Sequence, residues 1–340
     1  MGNLAMSTAR PLRIVIPGGS GQVGRMLARF FQERGHHVTV LTRGPYSAPW
    51  QTVFWDGVEL GPWVETLEGA DVCIHLSGRS INCRYTSRTR RELYDSRIGP
   101  TLLLHRAFAT LANPPRLWMN ASSATIYRHA LDRDMDEATG ELGGNDHPSG
   151  HELISRRRRA PAKWNWTTQL VKDWEAAFFS AETPSTRKIA LRTSLVFGPE
   201  SGSVFAVLSR LVRVGLGGTQ GNGGQYVSWI HETDFARALE FLIAHEEIAG
   251  PVNLAAPHPL PNREFMAALR EAWEMPNGLP APTPLIVIGT FLMRTEPELI
   301  LKSRRVVPGR LLQPGFEFEF PAWPEAAADL VRQWRARDDL

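Results

Sequence analysis

Short apolar, β-branched runs alternate with amphipathic polar stretches along residues 12–198. From Leu12 the chain reads LRIVI, then PGGSGQVG, then RMLARFFQERG: a buried strand, a glycine turn and a helix closed by glycine. HHVTVLT predicts a second strand. After a variable segment containing VFWD, ADVCIHLSG predicts a third. RLWMNAS and KIALRTSLVF predict further strands, with helices over Ser87 to Ala112 and Thr167 to Ala181. Buried strands alternating with helices predict an α/β fold, a Rossmann-type doubly wound parallel sheet, because parallel strands need helical crossovers and bury both faces. Beyond Pro199 the chain is richer in Gly and Pro, with GLGGTQGNGG from Gly215, and its elements shorten. The expected organisation is a nucleotide-binding domain over residues 11–198, rejoined by residues 225–245. Residues 199–224 and 246–340 form a smaller C-terminal α/β lobe, and residues 140–165 an inserted, Arg-rich loop.

The glycine turn carries the first chemistry. Gly18, Gly21 and Gly24 lie between a strand and a helix, where a tight turn needs positive φ and a diphosphate needs close backbone approach and free helix N–H groups. Gly18, Gly19, Ser20, Gly21, Gln22, Val23 and Gly24 are therefore expected to hold a dinucleotide. At the end of the second strand stand Leu41, Thr42 and Arg43, with no carboxylate for a ribose diol. A guanidinium there suits a 2′-phosphate, so the expected cofactor is NADP rather than NAD.

Composition narrows the remaining classes. The 340 residues are 43% hydrophobic and 21% charged, which excludes disorder, and 38 Lys+Arg against 35 Asp+Glu leave only +3, too little for cation-driven nucleic-acid binding. Cys73 and Cys83 make no disulfide framework, and the ten histidines show no metal-ligand spacing, so neither disulfides nor a metal are expected. The apolar stretch from Leu285 to Leu292 is too short for a bilayer and is interrupted by Gly289. The expectation is a cytoplasmic protein with a small-molecule substrate.

Several segments resemble the extended short-chain dehydrogenases/reductases, in particular the YfcH-like epimerase branch with its own C-terminal domain. HLSG at His75 to Gly78 resembles that family's N-L-A-G. RYT at Arg84 to Thr86 is similar to R-W-T, and DSR at Asp95 to Arg97 to S-R. VGLGGTQGNGGQYVSWIHETD, Val214 to Asp234, and RRVVPGRLLQPGFEFEFP, Arg304 to Pro321, resemble two further family segments. The resemblance implies a substrate cleft between sheet and lobe. It also implies cofactor contacts from Leu76, Ser77, Gly78, Glu92, Arg97, Arg192 and Val196 beside those of the turn, Thr42 and Arg43.

Catalysis is less regular. Ordinary extended members use a serine, a tyrosine and a lysine four residues after it. SSATIY at Ser122 to Tyr127 resembles the epimerase segment S-S-A-T-V-Y, making Ser123 the counterpart of the catalytic serine, or a strand-end residue bonding backbone. No Tyr-x-x-x-Lys exists: aligning Trp174-Glu175 with the family's W-E puts Thr167 at the tyrosine's place and Val171 at the lysine's. Lys172 is offset by one residue, about 100° of helix. Tyr127 is a candidate proton carrier or a packing residue, Glu137 a candidate acid or a solvated loop residue. His231 reads as structural, with Asp234 capping a helix from Phe235. The insertion before Thr167 holds His147, His151, Arg156 to Arg159 and Lys163, which form either a solvated run or a lid for a phosphate or carboxylate. Two readings follow: an NADP(H)-dependent oxidoreductase or epimerase-like enzyme, and an NADPH-binding sensor without turnover.

Overall fold

The computed structural model describes residues 10–44, 46–144 and 164–338. In chain order the elements are β1 (Arg13–Pro17), α1 (Gln22–Glu33), β2 (His37–Thr42), β3 (Gln51–Phe54), β4 (Val72–His75), α2 (Ser87–Phe108), β5 (Leu117–Ser123), α3 (Asn165–Phe179), β6 (Arg187–Thr193) and β7 (Leu195–Phe197). They continue with α4 (Val204–Arg213), β8 (Tyr226–Val227), β9 (Trp229–His231), α5 (Glu232–Ala244), β10 (Gly250–Leu254) and β11 (Leu260–Pro261). The chain then forms α6 (Asn262–Ala272), α7 (Thr283–Leu292), α8 (Glu298–Leu301), α9 (Gly309–Leu312) and α10 (Trp323–Asp338).

Seven parallel strands form one sheet in the order β10-β6-β5-β4-β1-β2-β3. Alternation of side chains along each strand supplies both faces: Ile14, Ile16 and Ile74 pack with α1 and α5, whereas Val15 and Cys73 pack with α2 and α3 residues Leu104 and Phe178. On α1, Leu27, Ala28 and Phe31 share the buried stripe. A second core of Phe197, Phe205, Trp229, Phe265, Trp323 and Trp334 joins α4, α6 and α10 into the smaller lobe. No helix among the described residues is long and apolar enough to cross a membrane.

Three expectations change. β3 was not expected; it is an edge strand whose Phe54 is 68% exposed, so its sequence lacks the buried run of a central strand. β10 pairs with β6 along Gly250 to Leu254, so this piece of the expected lobe belongs to the large sheet. α5 starts at Glu232 rather than Phe235, and its cap is His231, whose Nδ1 accepts from Thr233 N–H at 3.1 Å. Asp234 instead accepts the N–H groups of Glu319 and Phe320, both at 2.8 Å, and pairs with Arg237, tying the C-terminal segment to α5. His147, His151, Arg156 to Arg159 and Lys163 lie outside the described residues.

The strand order places the site. From β1 the chain winds to β2 and β3 on one side, then returns to β4 and winds to β5 and β6 on the other. The carboxyl ends of β1 and β4 therefore flank a topological switch point, where connections diverge and leave a crevice.

Candidate functional site

Gly18 follows β1 with φ +77°, and its N–H donates to Leu41 O at 2.9 Å. A Cβ at Gly18 would lie 2.5 Å from the Ser77 backbone, and one at Gly19 2.9 Å from Ile16. A Cβ at Gly24 would collide with Gly19, so these glycines pack turn, strand and helix together. Gly21 differs: it is exposed, extended at φ −71°, and a Cβ there would meet nothing within 4 Å. No side chain caps α1 at Gly21 and no acid stands in the helix's first turn, which leaves N–H groups and the positive end of the helix dipole facing outward. This cradle fits a diphosphate. At the end of β2, Thr42 is buried with its hydroxyl donating to Gly44 O at 3.2 Å, while Arg43 is exposed and pairs with no acid among the described residues.

The end of β4 carries a hydrogen-bond relay. Asn120 Nδ2 donates to Ala121 O at 2.8 Å, which turns Asn120 Oδ1 toward His75 Nδ1–H at 2.6 Å. His75 Nε2 is then left to accept from the Ser77 hydroxyl. Burial pushes the His75 pKa down to about 4, against the Asn120 bond, so the ring stays neutral. The two departures from N-L-A-G, His75 and Ser77, thus satisfy one another. Ser77 stands against Gly18, and Leu76, Val23 and Val196 are each partly buried against the first core. Arg97 lies beside Gly78 and donates to Arg79 O at 2.9 Å and Leu93 O at 2.9 Å, fixing the loop after β4. Glu92 is engaged elsewhere: it pairs with Arg79 and with Arg88 on the outer face of α2.

Below the end of β5 lies a polar network that engages several of the candidate residues. Tyr127 is 2% exposed; its hydroxyl donates to Asn253 Oδ1 at 2.9 Å and accepts from Arg192 Nη1 at 2.9 Å. Arg192 clamps Glu175 through two bonds of 2.9 and 2.8 Å, and Ser122 donates to the same carboxylate at 2.6 Å. Glu137 accepts the N–H of Asn253 at 2.7 Å and that of Arg310 at 3.2 Å. Tyr127, Arg192 and Glu137 therefore belong to one hydrogen-bonded network joining β5, α3, β6 and β10 beneath the site. Ser123 stands apart from it. Its Oγ accepts Thr125 N–H at 3.2 Å, while its own proton finds no acceptor among the described residues.

At the start of α3, Thr167 donates toward Glu298 Oε1 at 2.5 Å, and Val171 is buried. The segment after α7 fills the surroundings. Lys302 Nζ reaches Thr125 O and Thr168 Oγ1, each at 3.0 Å, and lies 3.9 Å from Glu298. Arg304 Nε approaches Thr125 Oγ1 at 3.4 Å. Tyr85 packs its ring 5.2 Å from that of Trp166. Burial pushes the Glu298 carboxyl up, while Arg304, Thr167 and Lys302 pull it down. Tyr85, Glu298, Lys302 and Arg304 were not singled out from the sequence, although Tyr85 and Arg304 stand in the RYT and RRVVPGRLL segments. Among the described residues no three His, Cys, Asp or Glu gather as metal ligands.

Strand order, glycine turn and the serine at the end of β5 define a Rossmann-type protein of the extended short-chain dehydrogenase/reductase class. The chain belongs to the "NAD dependent epimerase/dehydratase family", whose model matches residues 14–255, and a second model, "Domain of unknown function (DUF1731)", matches residues 281–330. It is 30% identical over 328 residues to "Epimerase family protein SDR39U1" of Mus musculus, covering 94% of this chain and 100% of that one. With "Epimerase family protein ML0860" of Mycobacterium leprae it shares 31% identity over 321 residues, 94% of this chain and 95% of the relative. The crystal structure of human epimerase family protein SDR39U1 (isoform 2) with NADPH superposes with a TM-score of 0.79 at 26% identity, covering 94% of this chain and 99% of that chain. The complex of MoeE5 with UDP-glucuronic acid and NAD shares the fold, with a TM-score of 0.68 at 19% identity over 96% of this chain and 99% of that chain.

Proposed function

We propose that the protein binds NADP(H) and interconverts a small carbonyl compound and its alcohol, as an oxidoreductase or epimerase-like enzyme. The observation that carries this is the conjunction at the switch point: an uncapped helix N-terminus at Gly21, the exposed Arg43 beyond β2, and Ser123 with an unengaged proton at the end of β5. When bound, the nicotinamide supplies the hydride donor or acceptor. The residues do the rest. The turn from Gly18 to Gly24 would hold the diphosphate, Arg43 with Thr42 the 2′-phosphate, and the Leu76 to Gly78 segment with Val196 the adenosine side. Ser123 would donate to the substrate oxygen. An anionic substrate is in keeping with the UDP-glucuronic acid held by MoeE5, which shares the fold, and the two free cysteines suit a cytoplasmic setting. The competing reading, a cofactor-binding sensor without turnover, has the missing Tyr-x-x-x-Lys in its favour. NADPH oxidation measured across aldehydes, ketones and nucleotide sugars separates the two: compound-dependent oxidation that falls at least tenfold in Ser123→Ala is expected for the enzyme. Binding of NADPH with no oxidation above background across the panel would leave the sensor.

A further inference from the structure

Ser123 takes its geometry from a turn too short to hold itself. After β5 the chain makes a single turn of 3-10 helix, Ala124–Ile126, and the Thr125 N–H donates to Ser123 Oγ at 3.2 Å. With one lone pair committed in this way, the hydroxyl swings its proton only through the directions that remain, and a hydroxyl that accepts a bond donates more strongly. The seat of Thr125 therefore decides where the Ser123 proton points. One such turn is marginal by itself. It is gripped from the C-terminal segment. Lys302, the residue that ends α8, sends its Nζ to Thr125 O at 3.0 Å and to Thr168 Oγ1 at 3.0 Å, and Thr168 Oγ1 donates to Thr125 O at 3.3 Å. The three groups close a triangle between the turn, α3 and the end of α8. Lys302 is buried, and Glu298, one helical turn back, lies 3.9 Å from the ammonium while also taking the Thr167 hydroxyl. A buried ammonium must keep its donors on acceptors, so these bonds are costly to give up.

From this triangle we infer that Lys302 is a positioning residue, which sets the direction of the Ser123 hydroxyl by fixing Thr125. The inference rests on the reading of Ser123 as the donor to the substrate oxygen. Ordinary extended members keep a lysine on the helix that carries their tyrosine. Here α3 has Val171 at that place, and an ammonium from the far end of the chain meets the same helix at Thr168, one residue beyond Thr167. Lys302 acts through the backbone of Thr125, and its contribution is orientation: a serine proton already aimed at the substrate oxygen spends no search in the transition state. The C-terminal segment is then part of the working site, since without Lys302 in place Thr125 O keeps only the longer bond from Thr168 among the side-chain bonds described.

The test uses the full chain with isotope-labelled serine followed by NMR. The Ser123 signal is identified by its loss in Ser123→Ala, and Ser209, bonded to Trp273 in the second core, serves as the reference. Lys302→Met keeps an unbranched buried side chain and removes its donors. The expected result is a Ser123 signal that moves in this variant, with Ser209 in place and NADPH affinity unchanged. In turnover, kcat should fall about tenfold or more while the KM for NADPH stays the same. Thr168→Val removes another corner of the triangle and should also move the Ser123 signal, and Thr168→Ser should restore it; this pair decides the matter if Lys302→Met does not fold. An unmoved Ser123 signal in folded Lys302→Met or in Thr168→Val overturns the inference, as does a wild-type kcat in Lys302→Met. A Ser123 signal that moves as expected, in a protein whose wild type turns over no compound, supports the positioning and overturns the functional reading instead.

Discussion

Gly18 and Gly21 are three residues apart in one turn, yet they are glycine for different reasons. At Gly18 the backbone is left-handed and Ser77 fills the space where a Cβ would go; at Gly21 the backbone is ordinary and the space is open. Gly18→Ala should therefore cost about 1–3 kcal/mol of stability. Gly21→Ala should leave the thermal midpoint unchanged while weakening NADPH about tenfold or more, because only a ligand meets the added methyl. Equal stability losses in the two variants, read by thermal denaturation, would contradict the packing described. The Glu175–Arg192 pair permits a second contrast. Both side chains are about nine-tenths buried, so Glu175→Gln, which strands the Arg192 charge, should cost about 3 kcal/mol or more in urea denaturation. NADPH affinity should hardly change, since the network lies beneath the site. A cost below about 1 kcal/mol would mean the pair is solvated. Tyr127 was visible in the sequence as a candidate acid, but its partner Asn253 is 126 residues away. Nothing local to SSATIY shows that the hydroxyl is already satisfied from both sides.

Among the elements, the central strands were legible because LRIVI and DVCIH are apolar on both faces, and α1 because its buried stripe runs through Leu27, Ala28 and Phe31. Edge strands β3 and β10 lack that signal, being half exposed or broken by proline. The start of α5 was misplaced because a capping histidine resembles a structural one until its Nδ1 is seen to take the Thr233 N–H. That helix start also carries a pH-sensitive group. Burial, and then the neighbouring Glu200 carboxylate, push Glu232 from 4.5 up to about 7, while Arg337 and Arg29 oppose the shift and Asp329 adds to it. A carboxyl with a raised pKa holds its proton more tightly folded than unfolded. It imposes no penalty below its ordinary range, and a growing one as pH rises from there through about 7. Wild type should therefore lose stability relative to Glu232→Gln between about pH 5 and about pH 8, seen as a widening gap in thermal midpoint. Parallel midpoint curves would contradict the raised pKa. Gln22 donates to Glu200 at 3.1 Å, so this pair stands directly behind the glycine turn.

At the scale of the whole molecule, the large sheet supplies the glycine turn and Ser123, and the segments after α7 bring Glu298, Lys302 and Arg304 against Thr167, Thr168 and Thr125. The first half of that arrangement could be read from the sequence, because strand, turn and helix are contiguous around Gly18 to Gly24. The second could not: Lys302 meets Thr168 across 134 residues and Arg304 meets Thr125 across 179, contacts that only the folded chain makes. The resemblance of RRVVPGRLL to a family segment marked the place without revealing what its side chains reach. All of these groups converge on one claim, that the switch point holds NADP(H) through the turn and Arg43. The most direct measurement is a paired titration of NADPH and NADH into the full chain and into Arg43→Gln. NADPH should bind wild type more than about tenfold tighter than NADH, about 1.4 kcal/mol, with the difference collapsing in the variant because NADPH alone loses affinity. Equal binding of the two cofactors to wild type, or a preference untouched by Arg43→Gln, would contradict it.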